Sequence, residues 1–327
     1  MGEVMTKIFD CHGDIWNDVV KKRMSGESAV IKNHHLDKFK KGNIFSGIFV
    51  IWIDSPPEHQ PEKRFKQIFD AMHSELVENS DLLHVVKKVE DFDDAQLSGK
   101  FPIVLGIEGL DGIHSIEALE SLYDYGFRHA SLTWNMANDF ATGVKGSPNE
   151  GLTELGYQAI KFMEAKGMLI DVSHLNEKSF WDIISVVNHP IIASHSNVKE
   201  LCPVPRNLSN EQILAIKNTG GLIGVNAFRE FIDLEQSKQT VSRLADHIDY
   251  LVILAGIDHV GFGFDFVDYL DEEAMGTFSN GLPEYTKGLE NCTKVRNLIL
   301  ELIKRGYTEE DIKKIAYKNF IRVFKSL

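Results

Sequence analysis

The stretch GLTELGYQAIKFMEAKGMLIDVSH (151–174) carries two periodicities end to end. Its first part reads as an amphipathic helix. Thr153 can cap the N-terminus, Leu155, Ala159, Phe162 and Met163 share one face, and Gly167 can close the last turn. The remainder, MLIDVSH (168–174), is a short apolar run that breaks off into polar residues. A run that short, bounded by glycine and by charge, reads as a strand buried on both faces.

The same unit recurs in both directions along the chain. Apolar runs with polar ends appear at IFDCHGD (8–14), IFSGIFVIWID (44–54), FPIVLGIEG (101–109) and RHASLTWN (128–135), and again at PIIASHS (190–196), GLIGVNA (221–227) and HVGFGFDF (259–266). Between them lie helical signals. LSNEQILAIKNTGG (208–221) offers Ser209 as a cap and a stop at Gly220-Gly221, and TVSRLADHIDYLVILAGI (240–257) is amphipathic up to Gly256. Eight strands alternating with helices predict an α/β chain forming a closed (β/α)8 TIM-like barrel. A doubly wound open sheet is the competing architecture, because alternation alone does not prove closure. Residues 1–327 are read as one domain, with a C-terminal helical extension from about 287 to 327. That extension is read as two helices with Gly306 between them, outside or beneath the barrel. Residues 267–286 contain Gly276, Gly281 and Pro283 and little periodicity, which makes them a candidate wall or lid.

Composition narrows the function classes. Of 327 residues 43% are hydrophobic, enough for a sizeable core, and 35 Lys plus Arg stand against 48 Asp plus Glu, a net charge of −13. That balance speaks against nucleic acid or an anionic membrane as the main partner. Cys11, Cys202 and Cys292 are far apart and form no CxxC, so neither a disulfide framework nor a structural zinc site is expected. The N-terminus has no basic region followed by an apolar run, and no stretch reaches the ~20 apolar residues of a membrane span. The expected location is the cytoplasm.

The polar residues fall at equivalent places in the repeating unit. His12 and Asp14 end the first run, Glu108 the third, His174 the fifth, His195 the sixth and Asp265 the eighth. In a parallel barrel all strand C-termini share one face, so residues remote in sequence would converge there. His12 and Asp14 are two apart and point to one side of a strand, while Cys11 points the other way and reads as packing. Gly13 leaves room for a metal. Three imidazoles and two carboxylates form an N/O donor set suited to zinc or a similar divalent ion. Five donors, with Glu108 able to bridge, are more than one four-coordinate ion needs, so two ions per chain are expected. Such a pair would stay net positive even with a bridging hydroxide, which suits an anionic substrate, and would bring the pKa of bound water to near ~7. His34, His35, His59, His73 and His84 lie in loops or helices and are read as ordinary polar residues.

With these residues placed, the chain resembles the membrane (renal) dipeptidase family of zinc metallopeptidases, in the form of a bacterial-type cytoplasmic member. The resemblance runs in order through DCHGD, GIEG, LTWN, GLTELG, KGMLIDVSH, PIIASHSN, RNLSNEQI, GGLIGVN, HVGFGFDF and the final KNFIRVF. It implies a barrel of the metal-dependent hydrolase type with two Zn2+ ions. His12, Asp14 and Glu108 would hold one ion, and Glu108, His174 and His195 the other, with hydroxide between the metals attacking the peptide carbonyl of a dipeptide. By the same resemblance Asp265 is the catalytic acid that moves the proton to the leaving amine. Arg206 grips the substrate's C-terminal carboxylate, and a C-terminal D-residue is tolerated. Asp10 and Asp171, beside ligands, read equally as supports that orient histidines and as strand-end caps. The resemblance allows a homodimer.

One position departs from the family. Where mammalian members carry a histidine that binds the tetrahedral intermediate, this chain has Trp134, with Asn135 or Asn138 as replacement polar contacts. Trp134 and Asn135 are therefore read as substrate-binding. The same departure supports a second function, hydrolysis of another small amide, lactone or ester. A third reading, from a different class, is a non-catalytic binding barrel that retains metal for structure. It sits poorly with Asp265, which does nothing for metal binding.

Overall fold

The computed structural model describes residues 6–54, 60–278 and 285–327. Expectations for His59, Gly281 and Pro283 lie outside those residues. Among the described residues nine strands form one parallel sheet: β1 (Ile8–Gly13), β2 (Ile44–Trp52), β3 (Leu83–Val85), β4 (Phe101–Glu108), β5 (Phe127–Ser131), β6 (Leu169–Asp171), β7 (Ile192–Ala193), β8 (Leu222–Val225) and β9 (Val260–Phe262). Eight of them run in the order β1-β2-β4-β5-β6-β7-β8-β9, and β3, which sequence reading missed, lies off this path against β4. The helices follow their caps. Thr153 Oγ1 accepts from Gly156 N at the start of Glu154–Lys166, Gly167 closes that helix at φ 65°, and Ser209 with Gln212 forms a capping box on Asn210–Asn218.

The sheet curls into a nearly closed barrel, which decides against the open sheet. Between β9 and β1 the seam is drawn together by a side chain, since Phe264 N donates to Asp10 Oδ1 at 2.8 Å. Asp171 does similar work between β6 and β7, where its Oδ1 accepts from Ser173 N (2.9 Å) and Ser194 N (3.0 Å). Side-chain acceptors thus take over from the ladder at the strand ends. That is why β6 and β7 are three and two residues long where the sequence runs are seven.

Inside the barrel Phe9, Cys11, Ile48, Val50, Val104 and Leu222 form one apolar cluster with Phe320 from the final helix. Phe320 stacks on Phe9 at 3.6 Å between ring centroids and plugs the end of the barrel away from the polar residues. Cys11 packs in this inner cluster and not on the outer face. The β1–β2 register shifts between Asp10 and Gly13, and the shift breaks the strict alternation that sequence reading assumed. Gly13 faces Phe49, Ile15 and Tyr269 at ordinary contact distances, a correction to its reading as room for a metal. The C-terminal extension is a helix at Val295–Lys304, a turn at Gly306 (φ 95°), and a helical run from Glu309 to Lys325.

Burial pushes the Asp10 carboxyl up to about 7, so at neutrality an amide is a close mimic of it. Asp10→Ala leaves the buried Phe264 N–H without its acceptor and should cost about 1–3 kcal/mol of stability. Asp10→Asn, which keeps Oδ1, should cost less than half as much; urea unfolding midpoints of the two variants check this.

Candidate metal centre

The polar cluster forms where the strands end and the backbone turns. Glu108 is the last residue of β4, held between Trp52 of β2 and Ser131 of β5 in register. Asp14 occupies the N-cap position of the helix Ile15–Met24 but makes no capping bond with its side chain. Its carboxylate is therefore free to turn inward, while its amide donates to Tyr269 Oη at 2.9 Å. His174 and Asp265 both adopt left-handed backbone, with φ 69° and 57°. Such conformations cost about 1–3 kcal/mol each in non-glycine residues and persist where the surroundings impose them.

The three expected histidines converge on one atom. His174 Nε2 lies 2.9 Å from Glu108 Oε1, His195 Nε2 3.3 Å and His12 Nε2 3.5 Å. Asp14 Oδ1 is 3.7 Å and Asp265 Oδ1 4.0 Å from His12 Nε2. Glu108 Oε1 and Asp14 Oδ1 are both buried and have no hydrogen-bond partner among the described residues. Two groupings have the spacing of a metal site, His12–Glu108–His195 and His12–Asp14–Asp265.

The protonation pattern makes this crowding informative. His174 Nδ1 donates to Asn135 Oδ1 at 3.0 Å. His195 Nδ1 donates to Ser194 Oγ at 2.7 Å, because the Ser194 proton is committed to Asp171. Both rings therefore present bare Nε2 lone pairs, 2.8 Å apart and facing Glu108 Oε1. Acceptors that close repel unless a cation lies among them. Charge leads to the same place: three carboxyls, Asp14, Glu108 and Asp265, line a cavity whose lining cations are Arg206 and Lys145. Burial, with Asp14 and Asp265 nearby, pushes Glu108 well above the usual carboxylate range. Burial opposes charge on His12 too, but Glu108 and Asp14 outweigh it and raise the ring to about 10. Burial holds His174 and His195 neutral, as ligands must be. The donor set thus fits divalent metal, with His12, Asp14, Glu108, His174 and His195 able to hold it.

Asp265, Arg206, Trp134 and Asn135 line a cavity of about 310 Å³, at the small end of the usual range for ligand pockets. Asp265 Oδ2 accepts from Asn226 Nδ2 at 3.0 Å, leaving Oδ1 turned to the donor cluster. Arg206 donates from one terminal nitrogen to His195 O at 3.2 Å and lies over the Phe231 ring, while its Nε is buried without a partner among the described residues. Trp134 stands edge-on to Trp52 with centroids 5.4 Å apart and forms a wall shared with a wider cleft of about 1400 Å³. Asn135 lines the cavity, but its Oδ1 is occupied by His174; Asn138 instead braces its own loop at Leu132 O, Phe140 N and Ala141 N. Asp10 and Asp171 touch no predicted ligand ring directly, and Asp171 reaches His195 only through Ser194. From the loop after β9, Phe278 packs on Trp52 and Phe228 and closes one side, so residues 267–278 form a wall.

Sequence reading passed over Ser194, His129 and Asn226. Asn226 had a usable signal, since it follows β8 at the position other strands give to site residues. His129 lies mid-strand, where no pattern separates a functional imidazole from a packed one.

Comparison with known proteins agrees over the whole length. The membrane dipeptidase profile (peptidase family M19) matches residues 3–327. An uncharacterized protein encoded 5′ of pqqA in Klebsiella pneumoniae is 36% identical over 69% of this chain and 82% of its own. An uncharacterized dipeptidase of Schizosaccharomyces pombe is 34% identical over 98% of this chain and 80% of its own. A metallo peptidase from Rhodobacter sphaeroides, solved with a phosphinate mimic of the dipeptide L-Ala-D-Ala, superposes with a TM-score of 0.84. It is 23% identical and covers 98% of this chain and 99% of its own.

Zn2+ at one hundred times its dissociation constant should stabilise the protein by about 2.7 kcal/mol per site. Thermal melting with zinc and with chelator reads this as a rise in midpoint. Glu108→Ala should abolish most of the rise, and a wild-type midpoint indifferent to every divalent ion would contradict the metal assignment.

Proposed function

The chain belongs to the membrane dipeptidase family, peptidase family M19, and we propose that it is a binuclear zinc dipeptidase. In this reading His12, Asp14 and Glu108 hold one ion, and Glu108, His174 and His195 the other. The observation that carries it is the convergence of those five side chains around Glu108, where Asp14, Glu108 and His174 line a cavity of about 310 Å³ together with Arg206 and Asp265. When bound, two divalent ions would bring the pKa of water to near ~7 and polarise the scissile carbonyl.

The chain's own residues do the rest. The Arg206 guanidinium, held by His195 O and backed by the Phe231 ring, takes the free carboxylate of the substrate bidentately. That grip makes the C-terminal residue the last the cavity accepts. It does not dictate the direction of that residue's side chain, so dipeptides ending in a D-residue fit as well as L-L ones. The L-Ala-D-Ala mimic on the Rhodobacter sphaeroides protein supports this choice. Asp265, steadied at Oδ2 by Asn226, accepts the water proton on Oδ1 as the carbon–oxygen bond forms. It then delivers that proton to the amine as the carbon–nitrogen bond breaks. Trp134, Trp52 and Phe278 supply an apolar wall for a side chain. Cys11, Cys202 and Cys292 are free thiols, in keeping with a cytoplasmic enzyme.

Trp134 favours one second reading, a hydrolase of another small amide, lactone or ester. An indole cannot ionise and offers a single N–H where the family histidine would stand.

Assay of the zinc-loaded protein on a panel of L-L and L-D dipeptides should show hydrolysis. Asp265→Asn should lower kcat by about 10²–10⁴-fold with little change in KM, whereas Arg206→Ala should act chiefly on KM. A native protein inert on every dipeptide, with activity appearing only in Trp134→His, would shift the assignment to the second reading.

A further inference from the structure

Behind the histidine pair runs a chain of hydrogen bonds that serves only one half of the donor cluster. His129, fully buried inside the barrel, donates from Nε2 to Asp171 Oδ2 at 3.0 Å. Ser194 Oγ donates to the same oxygen at 2.5 Å and accepts from His195 Nδ1 at 2.7 Å. The other Asp171 oxygen takes the amides of Ser173 and Ser194, so the carboxylate is bonded on all sides by donors. Burial opposes its charge, but the His129 and Ser194 bonds outweigh burial and hold it well below the usual carboxylate range.

An anionic acceptor of that kind fixes the direction of the Ser194 proton. The serine oxygen is then left only an accepting role toward His195, whose Nε2 must face the cluster as a lone pair. Asn135 Oδ1 does the same for His174. His12 has nothing comparable among the described residues: its Nδ1 is buried without a hydrogen-bond partner there. The two halves of the cluster are therefore built differently, one with both imidazoles locked in tautomer and direction, the other with its imidazole unheld.

We infer that Ser194, backed by Asp171 and His129, and Asn135 are positioning residues for the ion shared by Glu108, His174 and His195, and not for the ion at His12 and Asp14. The inference rests on the two-ion reading of the site. Partners of this kind are worth roughly 10–100-fold in metal affinity when removed. They act on binding itself, because a ring already in the right tautomer gives up no freedom when the ion arrives.

Titration of metal-free protein with Zn2+ against a chromophoric chelator separates the two binding steps. In Ser194→Ala one step should weaken by about 10–100-fold while the other stays within about threefold. Asn135→Ala should weaken the same step, and Asn135→Asp, which keeps an acceptor for His174 Nδ1, should restore it. In an Asp14→Ala background, which removes the other ion, the Ser194→Ala loss should persist undiminished. Asn135→Ala stands in for Ser194→Ala should the latter fail to fold, as judged by circular dichroism. Two ions bound with unchanged affinities in both alanine variants, or equal weakening of both steps, overturns the inference and leaves the two-ion reading intact. A wild-type chain that binds fewer than two ions overturns the two-ion reading. If one ion then remains, Ser194→Ala decides the positioning role on that single step; if none binds, both fall.

Discussion

Glu108 Oε1, a single carboxylate oxygen, has three imidazole nitrogens within 3.5 Å of it in a buried pocket, and the protein is organised to sustain that crowding. Lone pairs so close together repel in a region where water cannot screen them. The fold answers with stiffness. An apolar plug of Phe9 and Phe320 fills the barrel below. Aspartates tie the strand ends together where the ladder stops. Two residues at the rim, His174 and Asp265, are held in left-handed backbone that neither would choose alone. Remove a bound cation's charge from this picture and the remainder is expensive in each of its parts.

Much of this was legible in the sequence. The alternation of short apolar runs with capped helices pointed to the barrel, and the position of His12, Asp14, Glu108, His174, His195 and Asp265 within the repeating unit pointed to one face. All six are brought together there. Three kinds of feature stayed hidden. Strand length depends on where a side chain replaces a ladder bond, as Asp171 does for Ser194, and no pattern of apolar residues encodes that. The β1 register shift, which turns Cys11 into the inner core, depends on the neighbouring strand. Supporting residues such as Ser194 and His129 gain their meaning from Asp171, 23 and 42 residues away, so neighbourhood in sequence is silent about that link.

The same contrast separates the parts of the cavity. Its metal-donor side is specified by residue type, because few side chains can offer a lone pair at the right reach. Its other side, where the proposed function seats the substrate, is specified by shape, through Trp134, Trp52, Phe278 and the ring of Phe231 under Arg206. Shape is written in packing between distant segments, and a change at Trp134 would alter it without disturbing a single member of the donor cluster. Membership of the membrane dipeptidase family therefore constrains the chemistry more tightly than the side chains of the substrate.

The most direct measurement is the anomalous difference map of a crystal of the zinc-loaded protein, collected at the zinc edge. Two peaks should flank Glu108, one beside His12 and Asp14 and the other beside His174 and His195. A single peak, or density away from Glu108, would contradict the two-ion centre.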